Sequence, residues 1–341
     1  MKMSLLTTSV VKAFSVLSIF VWLFSCHTSE KKYEQITGQA QGTTFKIIYS
    51  TPEKVDVSTS IDSLFEAIDQ SMSLWVEESF ISQVNSSSDS IPVDSHFINV
   101  FLKSRELFYQ SKGAFDPTVG PLLSAWGLAR KKDLPLPTET KIDSLKELIG
   151  LNQFQLKGNI LYKSNTKAEI DFNAIAQGYT VDVIAEYLES LNATDYLIEV
   201  GGELRSKGHN ATGNSWKVGI EKPIFNSGAE TNELQTIVNL DNSALATSGS
   251  YRKFVELDGK KYSHTIDPKT GKPVDHQMLS VSVIAATAME ADGYATMFMV
   301  LGEEKAIDFA RKKGLLIQCI SEEKGELRVS YSPGFEEIMA E

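Results

Sequence analysis

The sequence predicts an α+β fold of antiparallel sheets and helices, and three observations carry that reading. Apolar residues alternate between the two-residue period of strands and the three-to-four-residue period of helices. The two kinds of segment interleave without the strict strand–helix–strand spacing of a doubly wound parallel sheet. No internal repeat or low-complexity block breaks the pattern. With 341 residues, the chain is long enough for one large domain or two fused lobes with a substantial core.

The N-terminus stands apart. Lys2 and Lys12 precede an uncharged apolar stretch, residues 13–25, that ends at Cys26. The stretch is short for a membrane-spanning helix and suits the apolar region of a signal peptide. Leu23-Phe24-Ser25-Cys26 resembles a bacterial lipobox, in which the cysteine becomes the acylated first residue of the mature protein. Residues 1–25 are therefore expected to be a lipoprotein signal peptide. Residues 26–36, beginning with a polar run, are expected to be a tether, and 37–341 the folded domain. An ordinary signal peptide or uncleaved anchor is the alternative. Lipid attachment implies a bacterial membrane protein facing the periplasm.

Within the domain, residues 44–49 alternate and are rich in β-formers, predicting a first strand. Ile61, Leu64, Phe65 and Ile68 fall at helical spacing and predict an amphipathic helix up to Met72. Val100, Phe101, Leu107 and Phe108 predict a second. Pro135 and Pro137 mark a surface loop, after which Thr138 is placed to cap a helix running towards Ile149. Residues 154–156 and 160–162 read as a hairpin through Lys157-Gly158-Asn159. Strands are expected at 169–172, 196–200 and 280–285, and helices at 174–191, 288–300 and 303–313. Two short strands are expected to close the chain. Residues 225–234 read as a polar loop, Asp258-Gly259 as a turn, and Cys319 as a core residue.

The formal net charge of -11 argues against nucleic-acid binding, which needs a basic surface. An acidic protein can still bind a nucleotide where a divalent cation offsets the charge. No GxGxxG or Walker motif is present, so the standard dinucleotide and P-loop readings fail. Asp292 and Thr296, four apart on a helix, share one face and offer hard oxygen donors suited to Mg²⁺. The same pair also describes a solvated helix face or a cap. His264 precedes the turn-forming Asp267-Pro268-Lys269-Thr270-Gly271 and is able to accept a hydroxyl proton near neutral pH; a structural histidine fits there as well. Asp171-Phe172-Asn173-Ala174-Ile175-Ala176-Gln177-Gly178-Tyr179 is expected to run from a strand directly into a helix. Such a junction presents backbone N–H groups to phosphate, or forms a plain capped turn.

Taken in order, these segments join others: Gln41-Gly42-Thr43-Thr44, Met72-Ser73-Leu74-Trp75, Gly113-Ala114-Phe115-Asp116-Pro117-Thr118-Val119-Gly120-Pro121, Val200-Gly201-Gly202-Glu203, Trp216-Lys217-Val218-Gly219-Ile220, Ala246-Thr247-Ser248-Gly249-Ser250-Tyr251 and Ala291-Asp292-Gly293-Tyr294-Ala295-Thr296. The ordered set resembles the ApbE family of FAD:protein FMN transferases across residues 38–320. The resemblance implies a two-lobed fold related to the T-fold, with FAD as substrate between the lobes. It implies that Asp292, Thr296 and the carbonyl of Ala174 hold Mg²⁺. Gln41, Trp75, Ala114, Phe115, Asp116, Asp171, Gln177 and Thr265 fall at FAD-contact positions, and His264 at that of the catalytic histidine. Gln41 stands where methionine is usual, and Gln177 where lysine or glutamate is. The implied reaction joins FMN to a threonine of a partner protein through a phosphoester and releases AMP. Subunits of membrane redox complexes, such as sodium-pumping NADH:quinone reductase or Rnf, are the implied acceptors. Hydrolysis of FAD to FMN and AMP, and FAD binding without chemistry, are the alternatives.

Overall fold

The computed structural model describes residues 31–128, 135–224, 233–250, 254–257 and 260–340. Residues 32–341 form one compact unit, and every strand pairing among the described residues is antiparallel. An eight-stranded sheet is the scaffold, in the order Glu34–Ala40, Thr43–Ser50, Asp195–Val200, Glu203–Lys207, Ala244–Gly249, Met278–Ala285, Leu316–Glu323 and Glu326–Tyr331. The first strand begins inside the segment expected to be tether. Its Tyr33 flank is tied to the body by a hydroxyl that donates to the His209 carbonyl at 2.9 Å. The lipobox and Cys26 lie outside the described residues, as does the turn at 258–259.

Two helices, Ala176–Ser190 and Ala288–Leu301, pack on each other and against the sheet. The second is apolar around most of its circumference, from Ala291 and Ala295 to Met297, Phe298 and Met299, as burial on several sides requires. Thr287 caps it by accepting from the Glu290 N–H. Across the sheet, the ribbon of Trp216–Glu221 and Leu234–Leu240 buries Val218, Ile220, Val238 and Leu240 with Leu245 and Ile284.

Residues 58–172 contribute helices Ser58–Met72, Phe80–Ser86 and Ser95–Gln110 and a small sheet of Ser90–Pro92, Phe154–Lys157 and Ile160–Lys163. Asp94 starts the Ser95–Gln110 helix by accepting from the Phe97 N–H, and Phe97, Val100, Phe101 and Leu107 form its buried stripe. That stripe shares one core with Phe115, Phe172, Val281, Met297 and Cys319. The two expected lobes are thus fused through common packing. Thr138 caps Glu139–Lys146 as expected, although the helix stops three residues short of Ile149. Residues 169–172 are extended without being a strand. Asn85, not a neighbouring strand, satisfies Ile170, accepting its N–H at 2.8 Å and donating to its carbonyl at 2.9 Å.

Candidate active site

The site begins where the helix Ala176–Ser190 starts. The residues before it supply no side-chain cap. The missing acceptor comes from the far end of the sequence, since Asp292 Oδ2 takes the Gly178 N–H at 3.0 Å. A carboxylate there also meets the positive end of the helix. Gly178 is required by the closeness of the helices, because a Cβ would lie 2.3 Å from the Ala288 carbonyl oxygen and 2.8 Å from Asp292 Cβ. Asp292 is buried, so the solvated-face reading of this pair fails. Burial, helped by the nearby charge of Asp182, pushes its carboxyl up to about 7 against the hydrogen bond from Gly178.

One turn further, the Thr296 hydroxyl points at the Ala174 carbonyl, 3.4 Å away. The structure therefore unites the three expected donors at one junction: a carboxylate and a hydroxyl from one helix, and a carbonyl from the turn that launches the other. All three are hard oxygen donors, the kind that Mg²⁺ takes. No cluster of three or more His, Cys, Asp or Glu side chains able to hold a metal occurs among the described residues. A cation here depends on the carbonyl and hydroxyl as well as the acid.

Gln41 and Gln177 flank the same helix turn. Gln41 accepts from the Thr180 hydroxyl at 3.1 Å and donates to Asp69 at 3.3 Å. Gln177 donates to the Val200 carbonyl at 2.8 Å and to the Glu203 carboxylate. Both amides are engaged within the protein, so each shapes the wall of the site through these bonds. Burial first, and then the charge of Asp292, raises Glu203 well above the usual carboxylate range.

A second set of residues gathers beside Ala174. The Asp171 N–H donates to the Pro117 carbonyl at 2.7 Å, which joins the 114–118 loop to the 171–174 turn. Asp116 accepts from both the N–H and the hydroxyl of Thr118, and that hydroxyl accepts from the Gly150 N–H. Burial nevertheless pushes the Asp116 carboxyl up to about 6. Asp171 is also raised by desolvation, opposed by hydrogen bonds from Asn173. Ala114 and Phe115, expected at FAD-contact positions, are both buried, with Phe115 in the main core, and their N–H groups donate to Ser111.

His264 occupies a half-buried bend between Lys260–Ser263 and Ile266–Asp267, next to buried Thr265. Its segment is fixed to the helix Gly120–Ala125, which begins at the end of the 113–121 motif: Ile266 packs with Leu122 and Trp126, and Trp126 Nε1 donates to the Gly271 carbonyl at 2.9 Å. Trp75 is 75% exposed, which rules out a core tryptophan. Thr118, Thr180 and Asp69 were not singled out by sequence. Thr118 alone had a local signal, since Asp-Pro-Thr favours the Asx turn that it makes.

Comparison with known proteins identifies the family. The FAD:protein FMN transferase of Vibrio cholerae is 35% identical over 301 residues, covering 85% of this chain and 89% of the relative. That of Salmonella typhimurium is 33% identical over 322 residues, covering 92% and 91%. The solved flavin transferase ApbE from Vibrio cholerae superposes with a TM-score of 0.80 at 33% identity, covering 90% of this chain and 99% of that one. The apo flavinyl transferase ApbE of Pseudomonas stutzeri gives 0.82 at 30% identity, covering 90% and 97%. Residues 41–320 match the model of the ApbE family, and the chain belongs to that family.

Proposed function

We propose that this protein is an FAD:protein FMN transferase that joins FMN to a threonine of a partner protein. The observation that carries the reading is the junction of Asp292, Thr296 and the Ala174 carbonyl at the start of the helix Ala176–Ser190. These three groups would hold Mg²⁺, which when bound supplies neutralising charge to a pyrophosphate. The acceptor threonine oxygen attacks the FMN-side phosphorus, the bond from that phosphorus to the oxygen of AMP breaks, and AMP departs with the electron pair. His264 takes the hydroxyl proton. A positioned acceptor competes with water through proximity and orientation.

The test is incubation with FAD, Mg²⁺ and an acceptor domain, scored for covalent flavin fluorescence on the protein and for free FMN. Free FMN with no covalent flavin would convert the assignment to FAD pyrophosphatase; neither product would leave a binding protein. The lipobox-like junction supports acylation of Cys26 and a periplasm-facing, membrane-held enzyme, which mass spectrometry of the membrane fraction checks. Redox subunits of the sodium-pumping NADH:quinone reductase or Rnf type are the acceptors to try first.

A further inference from the structure

Glu203 is a carboxylate beside this site with no role assigned so far. It opens its strand directly after the Gly201-Gly202 turn. Gln177 Nε2 reaches both sides of that turn, donating to the Val200 carbonyl before it and to Glu203 Oε2 after it. The fit is close: Gly201 has φ 60°, and a Cβ on it would sit 1.9 Å from Gln177 Nε2. The adjacent residue, Gly178, gives its N–H to Asp292. Glu203 and Asp292 therefore hang from consecutive residues of one helical turn. The neighbouring charges that bear on the pair are themselves acidic, namely Glu199 on Glu203 and Asp182 on Asp292. Arg205, two residues along the strand, is committed to Asp182 at 2.8 Å. Glu203 is held by the Gln177 amide and Asp292 by the Gly178 N–H, neither of which carries a charge, and a cation beside two carboxylates relieves the repulsion between them.

We propose that Glu203 is a positioning residue of the cation site: through Gln177 it holds the first turn of the helix Ala176–Ser190, and its charge adds to that of Asp292 in retaining a divalent cation. The proposal rests on the assignment of Asp292, Thr296 and the Ala174 carbonyl to that cation. Residues outside the direct ligand set change metal affinity by about 10–100-fold when removed, and Glu203 belongs in that range.

The experiment is an electron paramagnetic resonance titration of the full chain with Mn²⁺ alone, without FAD, for wild type, Glu203→Gln, Glu203→Asp and Asp292→Asn. Melting in chelator is recorded in parallel. Glu203→Gln is expected to weaken Mn²⁺ binding by about tenfold or more, with melting in chelator unchanged or raised because a repulsion is gone. Glu203→Asp is expected to recover part of the affinity. Wild-type Mn²⁺ affinity in Glu203→Gln overturns the proposal. If Asp292→Asn also binds like wild type, the cation assignment itself has failed; if Asp292→Asn loses binding while Glu203→Gln keeps it, only the role of Glu203 falls. Should Glu203→Gln not fold, Gln177→Met decides, since it removes the clamp and keeps the charge: unchanged affinity there overturns the positioning role.

Discussion

Replacing Gly178 by alanine sets two effects against each other, and the structure says which wins. On an isolated helix the change is favourable by up to about 1 kcal/mol. Here the new methyl would lie 2.3 Å from the Ala288 oxygen, 2.6 Å from its carbonyl carbon and 2.8 Å from Asp292 Cβ. Two of these atoms are backbone and cannot rotate away, so the helices must part by about 1 Å to reach ordinary contact. Overpacking of this kind costs about 1–3 kcal/mol. The same movement stretches the 3.0 Å bond from Gly178 to Asp292 beyond hydrogen-bond range. A buried N–H and carboxylate left unpaired cost a further 1–3 kcal/mol or so. The net is a loss of roughly 1–5 kcal/mol. At about 2–4 °C per kcal/mol for a chain somewhat smaller than this, melting should fall by several degrees. Flavin transfer should fall further than stability explains, because Asp292 is displaced. Thermal melting and a single-turnover transfer assay on the same preparation measure both. A Gly178→Ala protein that melts at or above wild type, with normal turnover, would refute the close-packing argument.

His264→Ala should slow single-turnover transfer by about 10²–10⁴-fold while FAD binding by fluorescence changes little; a rate within twofold of wild type would make His264 structural. Asp116 offers a pH signature. Its carboxyl stands at about 6 in the fold against an ordinary 3.8, so the fold prefers it protonated. Its contribution is most favourable below pH 4, declines as pH rises towards 6, and stays low above, by up to about 3 kcal/mol. Asp116→Asn, which keeps an oxygen acceptor for Thr118, should therefore gain on wild type between pH 4 and 6.5 in melting experiments, and a constant difference across that range would contradict the assignment. Trp75→Asn should leave melting nearly unchanged, since the side chain is exposed. It should raise free FMN relative to covalent flavin if the indole stacks on FAD; an unchanged ratio removes Trp75 from the site.

Much of the fold was legible because its signals are local. The cap at Thr138, the hairpin around Gly158 and the helix Glu303–Lys313 each follow from residues within a few positions. The site was less legible for the opposite reason. Asp292 and Thr296 share a helix face, but nothing near them says that the face is buried or that Ala174, 122 residues earlier, lies opposite Thr296. The extended run 169–172 carries strand-like residues, yet its partner is an asparagine side chain 85 positions away. Phe115 sits within a motif of functional character and is a core residue all the same. A motif marks a segment; which of its atoms face the ligand is decided by packing.

The two helices of the site hold each other by exchanged caps. Helix Ala288–Leu301 lends Asp292 to the Gly178 N–H of its partner. Helix Ala176–Ser190 returns Asp182, whose oxygens take the N–H groups of Ala288 at 2.9 Å and Met289 at 2.8 Å. Each carboxylate satisfies donors that its partner helix leaves open at its first turn. The bonds run in opposite senses between the helices, so neither can slide or rotate without breaking one of them. Gly178 fixes their separation, and the exchanged acids fix their register. Asp182 is further held by Arg205 from the sheet, at 2.8 Å, which ties the pair to the scaffold. Asp292 is consequently placed by the tertiary structure before any ligand arrives. A site built this way pays little to organise its acid and its helix start around a charged substrate, which is the condition for electrostatic stabilisation of phosphoryl transfer.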